Sequence, residues 1–519
     1  MARTTATVIL AAALALAACD SQPEEKGEQS TSGGRESTTG STSGESSGGV
    51  QNDRATITHN FGRYTLEPSQ EVEPCVQWTL NNEEALYVQT VELSNLGFFH
   101  HSNWFVVPED TFPGPDGFFD CDDREYAELA AAVAGTVLFA QSTQSYVEEQ
   151  RTLDGAVIKI PPHSKVVGGT HMLNVTPGVV ETDLWMSFEL LHPRLVEVLL
   201  TPFRLSYLDL EIPPESESTF TGRCANMAEK YEGRAGKPFD LKIHYALPHF
   251  HYLGNLFTAE VMGGANDGTE IISTVGFNGE ANGKMFDPPL DLSGADGITF
   301  SCGYDNWTDA EVGWGIGDQE MCAMLGLAEA DVIMDTSVLS GNEAVGVTTE
   351  GVIEFEGKCT TFVLPKNPNQ SMPTQAEIDG ELYVPPADPD ADDVPPLPEC
   401  VDADRGSEPS LDPTLSNVAA IFAQSCAFNS CHGSAAKAGN LDLETYDTLH
   451  DQLVGRMAML APDVPLVDPG NPEGSFLYQK MAECTPSAGL AMPLNAPVLL
   501  ASETVAVIRA WIAAGAPSD

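Results

Sequence analysis

Two histidines one residue apart, His249 and His251, stand in the run KIHYALPHFHYLGN (242–255) of a 519-residue chain that has eleven histidines. The run reads as strand. Alternate strand residues point to one face, so the pair presents two imidazoles together, a natural start for a metal site. Farther on, in SCGYDNWTDAEVGWGIGDQEMCAM (301–324), Cys302 and Cys322 can close a bridge around a Gly-rich turn and hold Met321 beside it. A thioether with two imidazoles suits copper, because soft sulfur favours Cu(I) and imidazole accepts both oxidation states. A second imidazole group lies upstream, with His100 and His101 adjacent in NLGFFHHSNWFVVP. Neighbours on a regular strand face opposite ways, so both reach one metal only if the backbone twists or bulges there. His171, in VVGGTHMLNVTP, is the candidate third nitrogen. His163, in PPHSK, competes but reads as an ordinary turn. Against these readings, His-x-His also occurs as a surface pair, and a lone Met packs cores.

The elements that must position these groups are strands. From about residue 55 to 365 short runs such as ALYVQTVEL, GAVIKI, WMSFELL and FDLKIHYAL are rich in β-branched and aromatic residues, with Gly, Pro, Asn and Asp between them. This pattern predicts one or two β-sandwiches. A Pro- and Asp-rich stretch, YVPPADPDADDVPPLPECVDADRGSEPSLDPT (383–414), follows and is expected to act as a stiff, extended spacer. Beyond it the periodicity becomes helical. Leu415, Val418 and Phe422 form one stripe, and Val505, Ile508 and Ile512 another, with Ser502 as the expected N-cap and Gly515 at the stop.

The pieces HHSNWFVV, HFHYLG and GWGIGDQEMC, in that order, resemble the copper type II, ascorbate-dependent monooxygenases, the family of peptidylglycine α-hydroxylating monooxygenase and dopamine β-monooxygenase. The resemblance covers roughly residues 60–365. It implies two jelly-roll β-sandwich domains, at 55–210 and 211–370, and two separate copper sites. His249, His251 and Met321 match the oxygen-binding, catalytic site. His100, His101 and His171 match the site that stores and passes an electron. The implied reaction puts one oxygen atom of O2 into an activated C–H bond and releases the other as water, with two electrons from an ascorbate-like reductant or a redox protein. The resemblance makes Cys302–Cys322 and Cys224–Cys359 bridges of the second sandwich. In the first, Cys75 and Cys121 are fewer than the animal enzymes have, and their pattern stays open, as does that of Cys400 and Cys484. The residues that would grip a peptide carboxylate or a catecholamine have no match, so the substrate, a small molecule or a peptide, is open as well.

The last segment, 415–519 after a linker over 371–414, reads as a small all-α unit. IFAQSCAFNSCHGS (421–434) places Cys426, Cys431 and His432 as C-x4-C-H. Covalent haem attachment normally uses C-x-x-C-H, with two thioethers and an axial His, so this is an expanded version. GLAMPLNAPVLLASETVAVIRAWIAAGAP resembles the end of class I c-type cytochromes. That implies Met492 as second axial ligand, with Met457, Met459 and Met481 as lesser candidates. The competing reading is a haem-free unit in which Cys426 and Cys431 pair with each other or one pairs with Cys484.

Charge and leader bound the setting. The formal net charge is −52, from 76 acidic and 24 basic residues. Such a chain repels phosphate backbones, which argues against nucleic acid. MARTTATVILAAALALAACDSQ reads as an export signal over 1–18, and LAAC resembles a bacterial lipoprotein cleavage box, implying acylation of Cys19. Residues 19–54, mostly Ser, Gly and Thr, are expected to be a disordered tether. The expectation is a lipid-anchored protein of the bacterial envelope, facing the periplasm or the cell surface. The alternative function is a non-catalytic copper-binding or electron-transfer lipoprotein on the same fold.

Overall fold

The structure is a computed structural model. It describes residues 53–141, 146–275, 283–315, 319–365, 370–389, 391, 394–396, 399–428, 431–434, 436–494 and 499–518. The leader, Cys19 and nearly all of the tether lie outside the described residues. The chain is mainly β. One long mixed sheet runs through both halves of the strand region, and two six-stranded sheets pack on it. In the first half, the strands Phe99–Pro108 and Ser164–Leu173 belong to the smaller sheet and face Leu86–Asn95 and Val180–Leu191 of the long one. Between them lies a core that includes Trp78, Leu93, Trp104, Val166, Met186 and Phe188. The second half repeats this arrangement around Leu205, Phe220, Phe257, Ile298, Phe300 and Met324. Burial alternates along the second-half strands Ser216–Cys224 and Gly254–Met262, the period-2 pattern of a half-buried strand, whereas Leu86–Asn95 and Ser164–Leu173 of the first half are buried at nearly every position.

The long sheet joins the two halves through a parallel pairing of Val198–Tyr207 with Ala156–Ile160, at Val198↔Ala156 and Leu199↔Val157. Val198–Tyr207 precedes residue 211, where the second domain was expected to start, yet it pairs with Ala323–Glu329 and Val332–Val338 of the second half.

Four disulfides close: Cys75–Cys121, Cys224–Cys359, Cys302–Cys322 and Cys400–Cys484. The expected bridges of the second sandwich form. Cys484 pairs with Cys400, which removes the reading in which it pairs with Cys426 or Cys431.

The Pro- and Asp-rich stretch departs from expectation over its first part. It runs back along the first sandwich instead of spacing two bodies apart. Leu382 and Tyr383 pack against the first core. Glu83 N donates to the Tyr383 hydroxyl at 2.8 Å, Tyr87 Oη donates to Glu377 at 2.9 Å, and His59 pairs with Asp388 at 2.8 Å. Apolar and aromatic side chains among the prolines find partners, and like-charge extension loses to that burial.

The C-terminal unit carries helices at Leu415–Ser425, Tyr446–Leu453, Phe476–Ala482 and Ser502–Ala513. The two predicted stripes are buried and meet around Trp511. Ser502 is not the N-cap. It is the first helical residue, and its hydroxyl accepts from Asp404 N at 2.9 Å. Gly515 follows the last helix with φ +98°, a left-handed conformation suited to a helix stop. No helix among the described residues is long and apolar enough to cross a membrane.

Candidate metal centres in a shared cleft

His101 and His171 stand directly opposite each other on the antiparallel strands Phe99–Pro108 and Ser164–Leu173. The register slips there, so that the next pair is Met172↔Phe99 and His100 becomes the extra residue of a bulge. The bulge is what lets adjacent histidines share a site. The three imidazoles offer ligand atoms that all lie within 4.8 Å of one another. His101 Nε2 and His171 Nδ1 are 3.1 Å apart, and the other nitrogen of His171 meets Glu71 Oε1 at 2.8 Å. That carboxylate fixes the His171 ring and leaves Nδ1 for a ligand, as metal-bound histidines require. Burial, reinforced by the neighbouring imidazoles of His171, His100, His249 and His251, holds His101 well below the usual imidazole range, in the neutral form that binds metal. His163 is exposed in its turn at φ +55° and lies outside the cluster.

The second group forms differently from the expectation. The strand Lys242–His249 ends at His249, so His251 lies in the following turn and not on the strand face. The turn brings the two rings to 5.2 Å between centroids, edge to face. Phe250, between them, points into the second core. Gly254 closes the turn so tightly on Phe250 that a Cβ there would lie 2.2 Å from its ring. Burial, with the charge of His251, pushes His249 down to about 3, and burial lowers His251 too.

Glu320 is the residue that sequence reasoning missed. Its side chain is fully buried, and it accepts from His251 N at 2.8 Å, Leu253 N at 2.7 Å and Met321 N at 3.2 Å. One carboxyl thus ties the His251 turn to the backbone of Met321. Burial pushes Glu320 up to about 8 despite these donors. His251 Nδ1 lies 2.7 Å from the Gln319 carbonyl oxygen, and Tyr304 donates to the Met321 carbonyl at 2.8 Å. The only signal in the sequence was an acidic residue directly before the candidate thioether.

Both groups open onto one cleft of about 630 Å³. The C-terminal unit forms its remaining wall: Cys426, Cys431, His432, Met457, Met459, Met481 and Met492 all line it. Phe428 and Cys431 pack on Leu173 and Val175, just beyond His171. Cys426 and Cys431 stay outside the four disulfides, and burial pushes the Cys426 thiol up to about 12. The mutual disulfide of the haem-free reading is therefore not formed. The donor types suit the groups expected: neutral imidazoles and a thioether on one cleft for copper, and two thiols, an imidazole and several thioethers lining it for a haem.

A further carboxyl supports the His101 strand. Glu128, on the helix Glu128–Ala134, accepts from Asn103 Nδ2 at 3.1 Å, and its other oxygen is buried. Burial pushes it up to about 8. A folded-state value above the unfolded one gives stability that is complete below about pH 4.5 and lost as pH rises through about 8. Glu128→Gln keeps the acceptor and removes the charge. The variant should gain on the parent by roughly 1–3 kcal/mol between pH 5 and 8.5. Thermal unfolding across that range checks this, and a pH-independent difference between the two proteins would refute it.

No protein-family model and no curated protein matches the chain. Viral proteins are among the solved structures with some similarity. The triple jelly-roll turret structure of an archaeal virus is 9% identical over 53% of this chain and 58% of that one, with a TM-score of 0.15. Sulfolobus turreted icosahedral virus gives 9% over 54% and 60%, TM-score 0.15. The VP2 subviral particle of infectious bursal disease virus gives 9% over 54% and 73%, TM-score 0.13. This chain thus spans less than two thirds of the first two, and TM-scores this low carry no argument about fold or function.

Proposed function

We propose that the chain is a copper-dependent monooxygenase of two jelly-roll sandwiches with a c-type cytochrome-like tail, lipid-anchored through Cys19 in a bacterial envelope. The observation that carries the reading is the placement of three imidazoles within 4.8 Å on a cleft that His249, His251 and Met321 also line. His249, His251 and Met321 would hold the catalytic copper, and His100, His101 and His171 the electron-storing one. Copper at these positions would supply the one-electron chemistry by which O2 and a C–H bond become an alcohol and water, with two electrons and two protons drawn from a reductant. Glu71 orients His171, and Glu320 sets the turn that carries His251. Cys426 and Cys431 would bind haem through thioethers, with His432 and Met492 as axial ligands.

A second reading, an electron-transfer protein with no organic substrate, gains from the helical unit lining the same cleft as both histidine groups. One experiment separates the outcomes. The full-length protein is reloaded with copper, its copper and iron per chain are measured, and reductant-dependent O2 uptake is followed with hydroxylated product. Two coppers, one iron and product support the proposal. Metals without product leave the electron-transfer reading. Iron without copper overturns both copper sites.

A further inference from the structure

His171 sits on the strand Ser164–Leu173, and the carboxylate that bonds it, Glu71, on the short strand Glu71–Val72. The cysteine loop of the C-terminal unit rests on both segments. Ser69, two residues before Glu71, donates its hydroxyl to the Gln424 carbonyl at 3.1 Å, at the end of the helix that leads into Cys426. Leu173 and Val175 form a small buried cluster, 0% and 2% exposed, and Phe428 and Cys431 pack on it. Leu173 is two residues from His171, so the two share a strand face with their side chains about 7 Å apart. Both line the cleft, as do Cys426, Cys431 and His432. The loop is closed on itself as well: Cys431 N donates to the Phe428 carbonyl at 3.0 Å, and His432 N to the Cys426 carbonyl at 3.1 Å.

The same loop meets the second sandwich farther along. Trp307 Nε1 donates to the Ala436 carbonyl at 3.4 Å, and Ala436 belongs to the second core, with Ala438 packed against it. From there the way to the other histidine group runs through Trp307 and Tyr252, whose ring centroids are 6.3 Å apart, to His251, the sequence neighbour of Tyr252. That path starts outside the cysteine and histidine motif and crosses an extra gap between rings. Electron transfer weakens steeply with every gap between packed atoms. The contact of Cys431 with the strand end that carries His171 is therefore the better path.

We infer that the C-terminal unit is the chain's own electron donor to the three-histidine group, and that Phe428 and Cys431 against Leu173 and Val175 form the contact through which the electron passes. The inference rests on the haem and copper sites of the proposed function and names their order. Each step moves one electron. A ferrous haem held by Cys426, Cys431 and His432 becomes ferric, Cu(II) held by His100, His101 and His171 becomes Cu(I), and no proton is transferred. Hydroxylation takes two electrons, so two such steps serve each product, and the ascorbate-like reductant or redox protein refills the haem after each.

The test uses the full-length protein with haem attached and Cu(II) loaded, without oxygen and without any organic substrate. A flash-generated flavin semiquinone delivers fewer electrons than there are chains. The haem α-band follows reduction and reoxidation of the iron, and freeze-quenched EPR follows Cu(II). The haem reduced by the flash is expected to reoxidise at a rate independent of protein concentration, with a matching loss of the Cu(II) signal. His101→Ala should abolish this phase, and Met321→Leu should keep it. Phe428→Ala and Leu173→Ala open the contact without removing a ligand. They should slow the phase while copper and iron per chain stay at the parental values, which separates a broken contact from misfolding. The inference fails if the haem stays reduced, if its reoxidation rate rises in proportion to protein concentration, if His101→Ala reoxidises as fast as the parent, or if both contact variants keep the parental rate. The monooxygenase reading fails separately: the electron transfer proceeds, but the fully reduced protein forms no hydroxylated product with O2. A chain that holds no iron, or no copper at the three histidines, overturns both.

Discussion

Replacing His101 with alanine is expected to lower bound copper from two ions per chain to one and to cut multiple-turnover hydroxylation by more than about 100-fold. His101 is the central member of its group: it faces His171 across the strand pair, with nitrogens 3.1 Å apart, and neighbours His100 through the bulge. Its loss leaves two of the three imidazoles of the group. Losing groups that merely orient a ligand costs about 10–100-fold in affinity or activity, so losing the ligand itself should cost more. The second group, carried by the end of the strand Lys242–His249, the turn after it and the segment before Ala323, keeps its metal. His163→Ala is the matched control, since that ring is exposed and outside the cluster, and it should change neither copper nor turnover. Elemental analysis after gel filtration reads the metal and product assay reads the turnover. Two coppers retained in His101→Ala would dismiss the three-histidine site.

How far these sites could be read before folding depends on the range of the interaction involved. The strands were legible because they are short runs of β-branched and aromatic residues between breakers, and the paired residues His101 and His171 follow from two such strands. The need for a bulge at His100 was legible as well, since neighbouring side chains on a regular strand diverge. What His251 does was not. Strand alternation puts it beside His249 by one geometry, and the chain does so by another, ending the strand and turning. That turn depends on Glu320, 69 residues away, accepting three backbone N–H groups, and local periodicity carries no trace of it. The pairing of Glu71 with His171 spans 100 residues and was equally invisible. The Pro- and Asp-rich stretch misled for a related reason: composition describes how a segment behaves alone, and the partners it finds in Glu83, Tyr87 and His59 lie about 300 residues upstream. Ser502 shows the same limit at a helix end, where a tertiary donor, Asp404 N, takes the hydroxyl that a cap would have used.

Glu320→Ala is expected to be the most destabilising single substitution near the sites, and to uncouple the catalytic group while sparing the other. Three buried N–H groups, of His251, Leu253 and Met321, would lose their acceptor at once. Each unpaired buried donor costs about 1–3 kcal/mol, and partial relaxation of the turn offsets some of that. A net loss of about 3 kcal/mol is expected, which for a body of this size lowers Tm by roughly 6–12 °C. The burial cost that pushes the Glu320 carboxyl up to about 8 is relieved at the same time, which keeps the loss below the simple sum of three donors. Glu320→Gln retains a carbonyl acceptor but turns an amide N–H2 toward backbone donors, so its loss should be intermediate. Because the Cys302–Cys322 bridge and the Tyr304 hydrogen bond to the Met321 carbonyl remain, Met321 stays near its place while the His251 turn is released. Copper should then fall at this group alone, with His100, His101 and His171 still loaded. Thermal unfolding and copper content measured on the parent and both variants test the ordering. Equal stability of Glu320→Ala and the parent would show that this carboxyl does not hold the turn.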